Sequence, residues 1–265
     1  MSSDRPRILI TNDDGFESEG LHALREALEP LGEVITVAPT LEKSACGHSL
    51  TLTRPLRFVE LEKNFYKLDD GTPSDCVFLS LKKLFAERRP DLVISGINKG
   101  GNMGEDITYS GTAAAAMEAV LQGIPALAVS QVCRSHCDDL PALGYRLAKE
   151  TVRSLVEKIL SGGYPLPERK FLNLNIPPIE PRECRGLRIT HAGRRAYGND
   201  AQVHLNPRGQ EYYWIGLPRL DWHPHLHPRH GWSDFEAIRE NYVSLTPIQL
   251  DMTDYDELRK LEEWI

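Results

Sequence analysis

The chain has 265 residues, of which 41% are hydrophobic and 26% charged, and this balance predicts an ordinary soluble globular protein. Its formal net charge of -7 argues against a surface that coats nucleic acid polymers. No run of residues reaches the roughly 20 apolar positions that a membrane span needs, and the polar residues 1–7 predict no signal peptide.

Strand-like and helix-like segments alternate through the first two-thirds of the chain. The predicted strands are residues 7–11, 33–38, 56–61, 65–68, 91–97 and 124–129. The predicted helices are residues 19–31, 71–87, 112–121 and 140–160. This alternation is typical of an α/β fold with a mostly parallel, doubly wound sheet and helices on both faces.

The composition changes after about residue 177, where Pro, Gly, Arg and His accumulate. Residues 186–192 and 211–216 are short and extended, which indicates a hairpin-like extension with little core of its own. Residues 242–247 predict a strand that returns to the main sheet. We therefore interpret residues 1–265 as one domain with a core (1–177), an extension (178–233) and a return strand with a tail (234–265).

The most informative motif is Asn12-Asp13-Asp14-Gly15, directly after the first predicted strand. Ligands of open α/β sheets bind at the carboxyl ends of strands. Two adjacent carboxylates repel each other unless a cation lies beside them, and a hard divalent ion is the obvious candidate. For this tetrapeptide alone, an acidic turn or a helix N-cap stays open as an alternative.

Two further loops follow predicted strands, at residues 38–49 and 95–104. With the first loop they offer two carboxylates, several hydroxyls and two asparagine amides, which suit Mg²⁺, Mn²⁺ or Ca²⁺ better than zinc. Taken singly, Ser44 is typical of a loop hydroxyl and Asn98 of a turn former. The loop at residues 98–104 matches neither a Walker A nor a dinucleotide-binding pattern, and the chain has no GxSxG elbow of a serine hydrolase.

A possible phosphate cradle stands just before a predicted helix, at Tyr109-Ser110-Gly111-Thr112. Its backbone N–H groups and hydroxyls would lie at the positive end of the helix dipole. The alternative is a plain N-cap by Ser110 or Thr112. Both roles are compatible, so the sequence leaves them side by side.

The cysteines and the clustered histidines carry less information. The five cysteines are odd in number and irregularly spaced, which predicts no disulfide framework and fits a reducing cytosol. Cys133 and Cys137 could form half of a soft-metal site, but no second pair completes it, so coincidence is the favoured interpretation. The histidines of the extension favour an exposed, proline-rich loop over a metal site; they are His223, His225, His227 and His230.

Taken together, these motifs resemble the SurE (survival protein E) nucleotidases, metal-dependent phosphatases that act on nucleoside monophosphates. The resemblance covers nearly the whole chain. Its most specific parts are residues 11–15, 37–51, 71–76, 95–104 and 109–112, in the family's order. A weaker match is Asp234 with residues 242–247.

The resemblance implies a Rossmann-like three-layer α/β/α core in a cytoplasmic enzyme. It also implies an extension that is exchanged between subunits of a homodimer or homotetramer. Four residues fall on the family's metal-ligand positions for one divalent ion per subunit, Mg²⁺ or Mn²⁺ with Ca²⁺ as a third candidate: Asp13, Asp14, Ser44 and Asn98. Thr40 stands where an acid is common, and Cys46 and Asn241 stand where glycine is frequent. Cys46 lies in the site loop, so oxidation of its thiol would affect the enzyme.

The function implied is hydrolysis of nucleoside 5′- or 3′-monophosphates to nucleoside and phosphate. The predicted catalytic residues are Asp13, Asp14 and Asn98, and the predicted phosphate-binding residues are Asn102, Ser110, Gly111 and Thr112. A phosphatase for another phosphoester or polyphosphate stays open, as does a non-catalytic nucleotide-binding protein. The adjacent acids argue against the last, because carboxylates repel phosphate unless a metal lies between them.

Overall fold

The structure is a computed structural model that describes residues 5–133, 137, 140–162, 168–196, 201–215, 222–223 and 231–265. Its strands are β1 (Arg7–Thr11), β2 (Glu33–Pro39), β3 (Arg57–Glu62), β4 (Phe65–Asp69), β5 (Leu92–Lys99), β6 (Ala126–Gln131), β7 (Lys170–Ile176), β8 (Leu187–Ile189), β9 (Arg194–Arg195), β10 (Ala201–Leu205), β11 (Glu211–Ile215), β12 (Trp222–His223) and β13 (Val243–Gln249). Its α-helices are α1 (Glu19–Leu28), α2 (Pro73–Lys83), α3 (Gly111–Leu121), α4 (Leu140–Leu143), α5 (Arg146–Leu160), α6 (Asp234–Arg239) and α7 (Tyr255–Trp264).

One nine-stranded sheet, in the order β3-β4-β2-β1-β5-β6-β7-β13-β8, organises the molecule. All neighbours in it are parallel except β3 with β4 and β13 with β7. From the central strand β1, the strands β2, β4 and β3 lie in that order on one side. The chain then returns to β5, on the other side of β1, and continues outward through β6 to β7. The predicted mostly parallel, doubly wound α/β fold is therefore confirmed.

The central strands are buried on both faces, which explains their continuous apolar runs. Side chains alternate across a strand, so Ile8 and Ile10 contribute to the core under α1 and α5. Leu9, between them, contributes to the opposite core under α2 and α3. Helices thus cover both faces, as the three-layer prediction requires.

Several predicted helices end earlier than their patterns indicated. Helix α1 ends at Leu28 rather than residue 31, and α2 ends at Lys83 rather than residue 87. The predicted helix at residues 140–160 is two helices, because Gly144 between them has a φ of +58°. A residue in that left-handed region cannot continue a right-handed helix.

The return strand predicted at residues 242–247 is confirmed as β13, but its neighbour β7 was missed. β13 pairs antiparallel with β7 and parallel with β8. The hairpin of β10 and β11 also includes a strand that the sequence pattern did not indicate. The division of the chain into core, extension and tail stays a prediction.

One disulfide stands against the interpretation that the spacing of Cys133 and Cys137 is a coincidence, within a chain predicted to have no disulfide framework. Cys133 and Cys137 are joined by a disulfide, while Cys46, Cys76 and Cys184 are free. Of the predicted histidine cluster only His223 is described; His225, His227 and His230 lie outside the described residues. None of the helices that the structure describes is long and apolar enough to cross a membrane.

Candidate functional site

The candidate site lies where β1 and β5 end side by side, at the point where the sheet order reverses. Asp13 and Asp14 follow β1 directly, and Asn98 is the second-last residue of β5. This is the edge at which doubly wound sheets bind their ligands. The topology therefore explains why two segments more than 80 residues apart contribute to one site.

Asp13 is almost completely buried, with 4% of its surface exposed. Its carboxylate accepts a hydrogen bond from the Thr112 hydroxyl, and its backbone carbonyl accepts the N–H of Lys43 at 2.7 Å. Burial raises the pKa of Asp13 above its usual value, although the hydrogen bonds from Thr112 act in the opposite direction.

Asp14 lies beside it and accepts the backbone N–H of Lys99 at 3.1 Å on Oδ2. Burial first, and then the negative charge of Asp13, raise the pKa of Asp14 to about 7. Glu42 in the neighbouring loop adds a third negative charge that raises the pKa of both aspartates. The site therefore concentrates acidic oxygens in a place that water solvates poorly.

These residues fit a divalent cation. Among the described residues, none forms an ion pair with Asp13 or Asp14, so their repulsion is not compensated by a cationic side chain within contact distance. The Oδ1 atom of Asn12 is buried next to them and accepts no hydrogen bond from the described part of the chain. Carboxylate and amide oxygens are the ligands that Mg²⁺, Mn²⁺ and Ca²⁺ prefer.

Of the other two predicted ligands, Asn98 is buried beside the aspartates and Ser44 is exposed on the loop between β2 and β3. Asn98 donates its Nδ2 to the Gly100 carbonyl at 2.9 Å, which orients the side-chain oxygen away from that bond. Ser44 donates its hydroxyl to Glu42 at 2.6 Å. The backbone bond from Lys43 to Asp13 brings the Ser44 loop to the carboxylates, but the serine hydroxyl itself contacts Glu42.

The Ser44 loop is fixed to the helices on both sides of it. The N–H of Gly47 donates to the Tyr109 carbonyl at 2.9 Å, and the N–H of Thr51 donates to the Asp75 carboxylate at 2.9 Å. His48 contacts Glu118 of α3 at 3.0 Å. The loop is therefore held by the N-terminal turn of α2 and by α3.

The N-terminus of α3 contacts Asp13 directly. A Cβ atom added at Gly111 would lie 2.8 Å from the Asp13 Cβ, 2.9 Å from its Oδ2 and 3.0 Å from the Cys46 sulfur. Ser110 caps α3 by accepting the Ala113 N–H at 3.0 Å. The N-cap role left open in the sequence is thus filled by Ser110, whereas the Thr112 hydroxyl donates to Asp13.

Asn102, the remaining predicted phosphate-binding residue, is held by asparagines of β7. Its backbone N–H donates to Asn175 Oδ1 at 2.9 Å, and its carbonyl accepts from Asn173 and Asn175 at 2.8 and 3.0 Å. Its side-chain Nδ2 donates to the Ser130 hydroxyl at 2.9 Å. Asn102 thus has a fixed position at the carboxyl edge of the sheet.

Several residues that shape the site escaped the sequence analysis. Glu42 stands two positions before Ser44, and an acid in that loop could have been noticed. Asn173 and Asn175 lie in the strand that was missed, so no local signal connected them to Asn102. Burial and the charge of Asp13 raise the pKa of the Cys46 thiol, which disfavours its reactive thiolate.

Comparisons with known proteins agree with this geometry. The Survival protein SurE family profile matches residues 8–199. The chain is 64% identical over 264 residues to the 5′-nucleotidase SurE of Sulfurovum sp. (strain NBC37-1), covering 99% of each chain. It is 57% identical to the 5′-nucleotidase SurE of Helicobacter hepaticus (strain ATCC 51449 / 3B1), covering 98% of each. The crystal structure of the SurE protein from Aquifex aeolicus superposes with a TM-score of 0.83 at 40% identity, covering 98% of this chain and 99% of that one. The chain therefore belongs to the Survival protein SurE family.

Proposed function

We propose that the chain is a divalent-metal-dependent 5′-nucleotidase that hydrolyses nucleoside monophosphates to nucleoside and phosphate. The observation that carries this proposal is the contact between Asp13 and the N-terminus of α3 at Gly111. A cation at the carboxylates and a phosphate at the helix N-terminus would then be neighbours. The relatives named 5′-nucleotidase SurE support this substrate class.

We infer that Asp13, Asp14, Ser44 and Asn98 hold one ion, Mg²⁺ or Mn²⁺. When bound, such an ion polarises the phosphoryl group and lowers the pKa of water. To bind the ion, the Ser44 hydroxyl would give up its hydrogen bond to the Glu42 carboxylate. Negative charge at Asp13 and Asp14 is what gives the site its affinity for a divalent cation.

The protein groups around the phosphate act by positioning and by donating hydrogen bonds. Because the Ser110 oxygen accepts the Ala113 N–H, its own proton is available to a phosphate oxygen. In the first turn of α3 the N–H of Thr112 donates to Asp13 and that of Ala113 donates to Ser110, so the group offered to an equatorial oxygen of the transferred group is the N–H of Gly111. One of the two aspartates accepts the proton of the attacking water, and Thr112 and Lys99 keep both carboxylates in place.

A homo-oligomer, a dimer or a tetramer, is the inferred assembly. Apolar side chains are exposed on both the β10–β11 hairpin and the C-terminal segment, and exposed apolar surface of this kind is typical of subunit interfaces. They include Val203, Leu205, Tyr213, Trp214, Ile215, Tyr255, Leu261 and Trp264. Light scattering coupled to gel filtration measures the oligomeric state.

The proposed activity is tested by phosphate release from a panel of nucleoside 5′- and 3′-monophosphates, a sugar phosphate and polyphosphate. We expect release from the 5′-monophosphates with Mg²⁺ or Mn²⁺ and none with EDTA. Release from a different phosphoester alone would favour the second candidate of the sequence analysis. Metal and nucleotide binding without any release would favour a binding protein.

Metal affinity is expected to fall as the pH is lowered through 7. The metal-free pKa of Asp14 is raised to about 7, so below that pH a proton competes with the ion for this carboxylate. Competition by one proton weakens the apparent affinity by roughly tenfold per pH unit. Calorimetric titrations with Mn²⁺ across this pH range measure the effect, and an affinity independent of pH would contradict it.

A further inference from the structure

We propose that Asp234 is a positioning residue for phosphate binding, and this inference rests on the proposed function. It concerns the segment of residues 101–112, here called the cradle segment. Asn102 lies near one end of that segment and Ser110, Gly111 and Thr112 at the other. A 3₁₀ helix, Gly104–Thr108, joins the two ends.

Asp234 is completely buried at the start of α6, and its carboxylate binds three backbone N–H groups. Oδ2 accepts the N–H of Gly104 at 2.8 Å. Oδ1 accepts the N–H of Gly193 at 2.8 Å and that of Phe235 at 2.9 Å. The Asp234 side chain therefore joins three parts of the chain: the cradle segment at Gly104, the residue before β9 at Gly193, and α6 at Phe235.

The packing around this junction leaves little room for Gly104 to move. Gly104 has a φ of +55°, and a Cβ atom there would lie 2.7 Å from the Gly193 carbonyl oxygen and 2.9 Å from the Phe235 ring. A Cβ atom at Gly193 would lie 2.4 Å from the same ring. The backbones at Gly104 and Gly193 are therefore in close contact. Within this packing, the hydrogen bond from Gly104 to Asp234 fixes where the 3₁₀ helix begins.

Arg195 provides a second contact between the same two parts of the chain. Its backbone N–H donates to the Glu105 carboxylate at 2.6 Å, and its Nε lies 3.0 Å from the Asp106 carboxylate. Both acids belong to the 3₁₀ helix. The first turn of that helix is thus attached to residues 193–195 through its backbone and its side chains.

The two ends of the cradle segment are held by different partners. Asn102 is fixed by Asn173 and Asn175 of β7, as described above. Gly104, two residues later, depends on Asp234, and the chain then leads through the 3₁₀ helix to Ser110. Loss of the bond to Gly104 would leave Asn102 bonded to β7 and Thr112 bonded to Asp13, and would loosen the 3₁₀ helix that sets the position of Ser110 relative to Asn102.

Asp234→Asn tests this role, because it replaces one carboxylate oxygen with an amide NH₂ group and keeps the shape of the side chain. The amide oxygen can keep the bonds from Gly193 and Phe235, whereas the amide nitrogen would face the Gly104 N–H, donor against donor. The matched control is Glu236→Gln, because the Glu236 carboxylate of α6 also accepts a backbone N–H, that of the N-cap residue Ser233 at 2.9 Å, and does not bond to the cradle segment. Asp106→Asn, which removes the ion pair with Arg195, provides a milder second variant.

The measurements are binding of inorganic phosphate in the presence of Mg²⁺, binding of Mn²⁺ alone, and the separate effects on kcat and KM. We expect Asp234→Asn to weaken phosphate binding about tenfold, the effect of losing one hydrogen bond to a charged group. Asp106→Asn should weaken phosphate binding less. Mn²⁺ affinity should stay at the wild-type value in both, and Glu236→Gln should change neither ligand's affinity.

Wild-type phosphate affinity in Asp234→Asn would overturn the proposal. Equal losses of phosphate and Mn²⁺ affinity in Asp234→Asn would also overturn it, because they would indicate general damage to the site. A wild-type protein that binds phosphate but hydrolyses no nucleotide would overturn only the proposed function. Absence of phosphate binding by the wild type would overturn this proposal, whereas the proposed function is decided by phosphate release from nucleotides.

Discussion

Replacing Asp13 with asparagine is expected to lower nucleotidase turnover by at least about a thousandfold, the scale of losing a principal electrostatic contact in an active site. The carboxylate is buried and lies against the N-terminus of α3 at Gly111. Asparagine has the same shape and can still accept the Thr112 hydroxyl, so the fold should persist.

The metal-free variant should also unfold at a higher temperature than the metal-free wild type. Burial raises the pKa of Asp13 and its charge raises that of Asp14, so removing one charge relieves their repulsion. Steady-state kinetics and thermal unfolding measure the two effects. Asp70→Asn is the matched control, since the Asp70 side chain is 72% exposed and lies in a turn. Turnover within tenfold of the wild type would refute the assignment.

Replacing Gly111 with alanine is expected to reduce kcat/KM by about a hundredfold, because small displacements at a reacting centre have effects of that size. The new methyl group would lie within 3.0 Å of Asp13 and of Cys46, so the carboxylate must shift. Alanine is otherwise the better residue inside a helix, so the requirement for glycine comes from this close approach and not from the backbone.

The double variant with Cys46→Ala separates the two contacts. It removes the sulfur but leaves the methyl group against Asp13, so the loss of activity should persist. If the double variant recovers wild-type kcat/KM, displacement of the cysteine and not of the carboxylate caused the defect. Thermal unfolding of both variants shows whether the helix itself is intact.

The part of the site that could be predicted from sequence consists of short motifs directly after strands. Asp13 and Asp14 follow a plainly apolar strand, and the alternating pattern places that strand's end at a ligand-binding edge. The same logic located the loop of Asn98 and the helix start at Ser110. These are local relationships, in which a few neighbouring residues determine both the structure and the chemistry.

The part that could not be predicted depends on distant contacts between individually unremarkable residues. Asn102 binds Asn175, 73 positions away, and Gly104 binds Asp234, 130 positions away. Asparagine is a poor strand former, so the buried Asn173 and Asn175 made β7 hard to recognise. Likewise, Thr112 was expected to face phosphate, whereas its hydroxyl faces Asp13, an orientation that only the folded backbone determines.

The separation between Gly104 and Asp234 has a consequence for the order in which the enzyme matures during synthesis. The predicted metal ligands have all left the ribosome once residue 98 has emerged, and α3 follows soon after. At that stage the acceptor for the Gly104 N–H has not yet been translated. On the proposed roles, a nascent chain would carry all its metal ligands well before Asp234, the residue proposed to strengthen phosphate binding, which is translated in the last tenth or so of the chain.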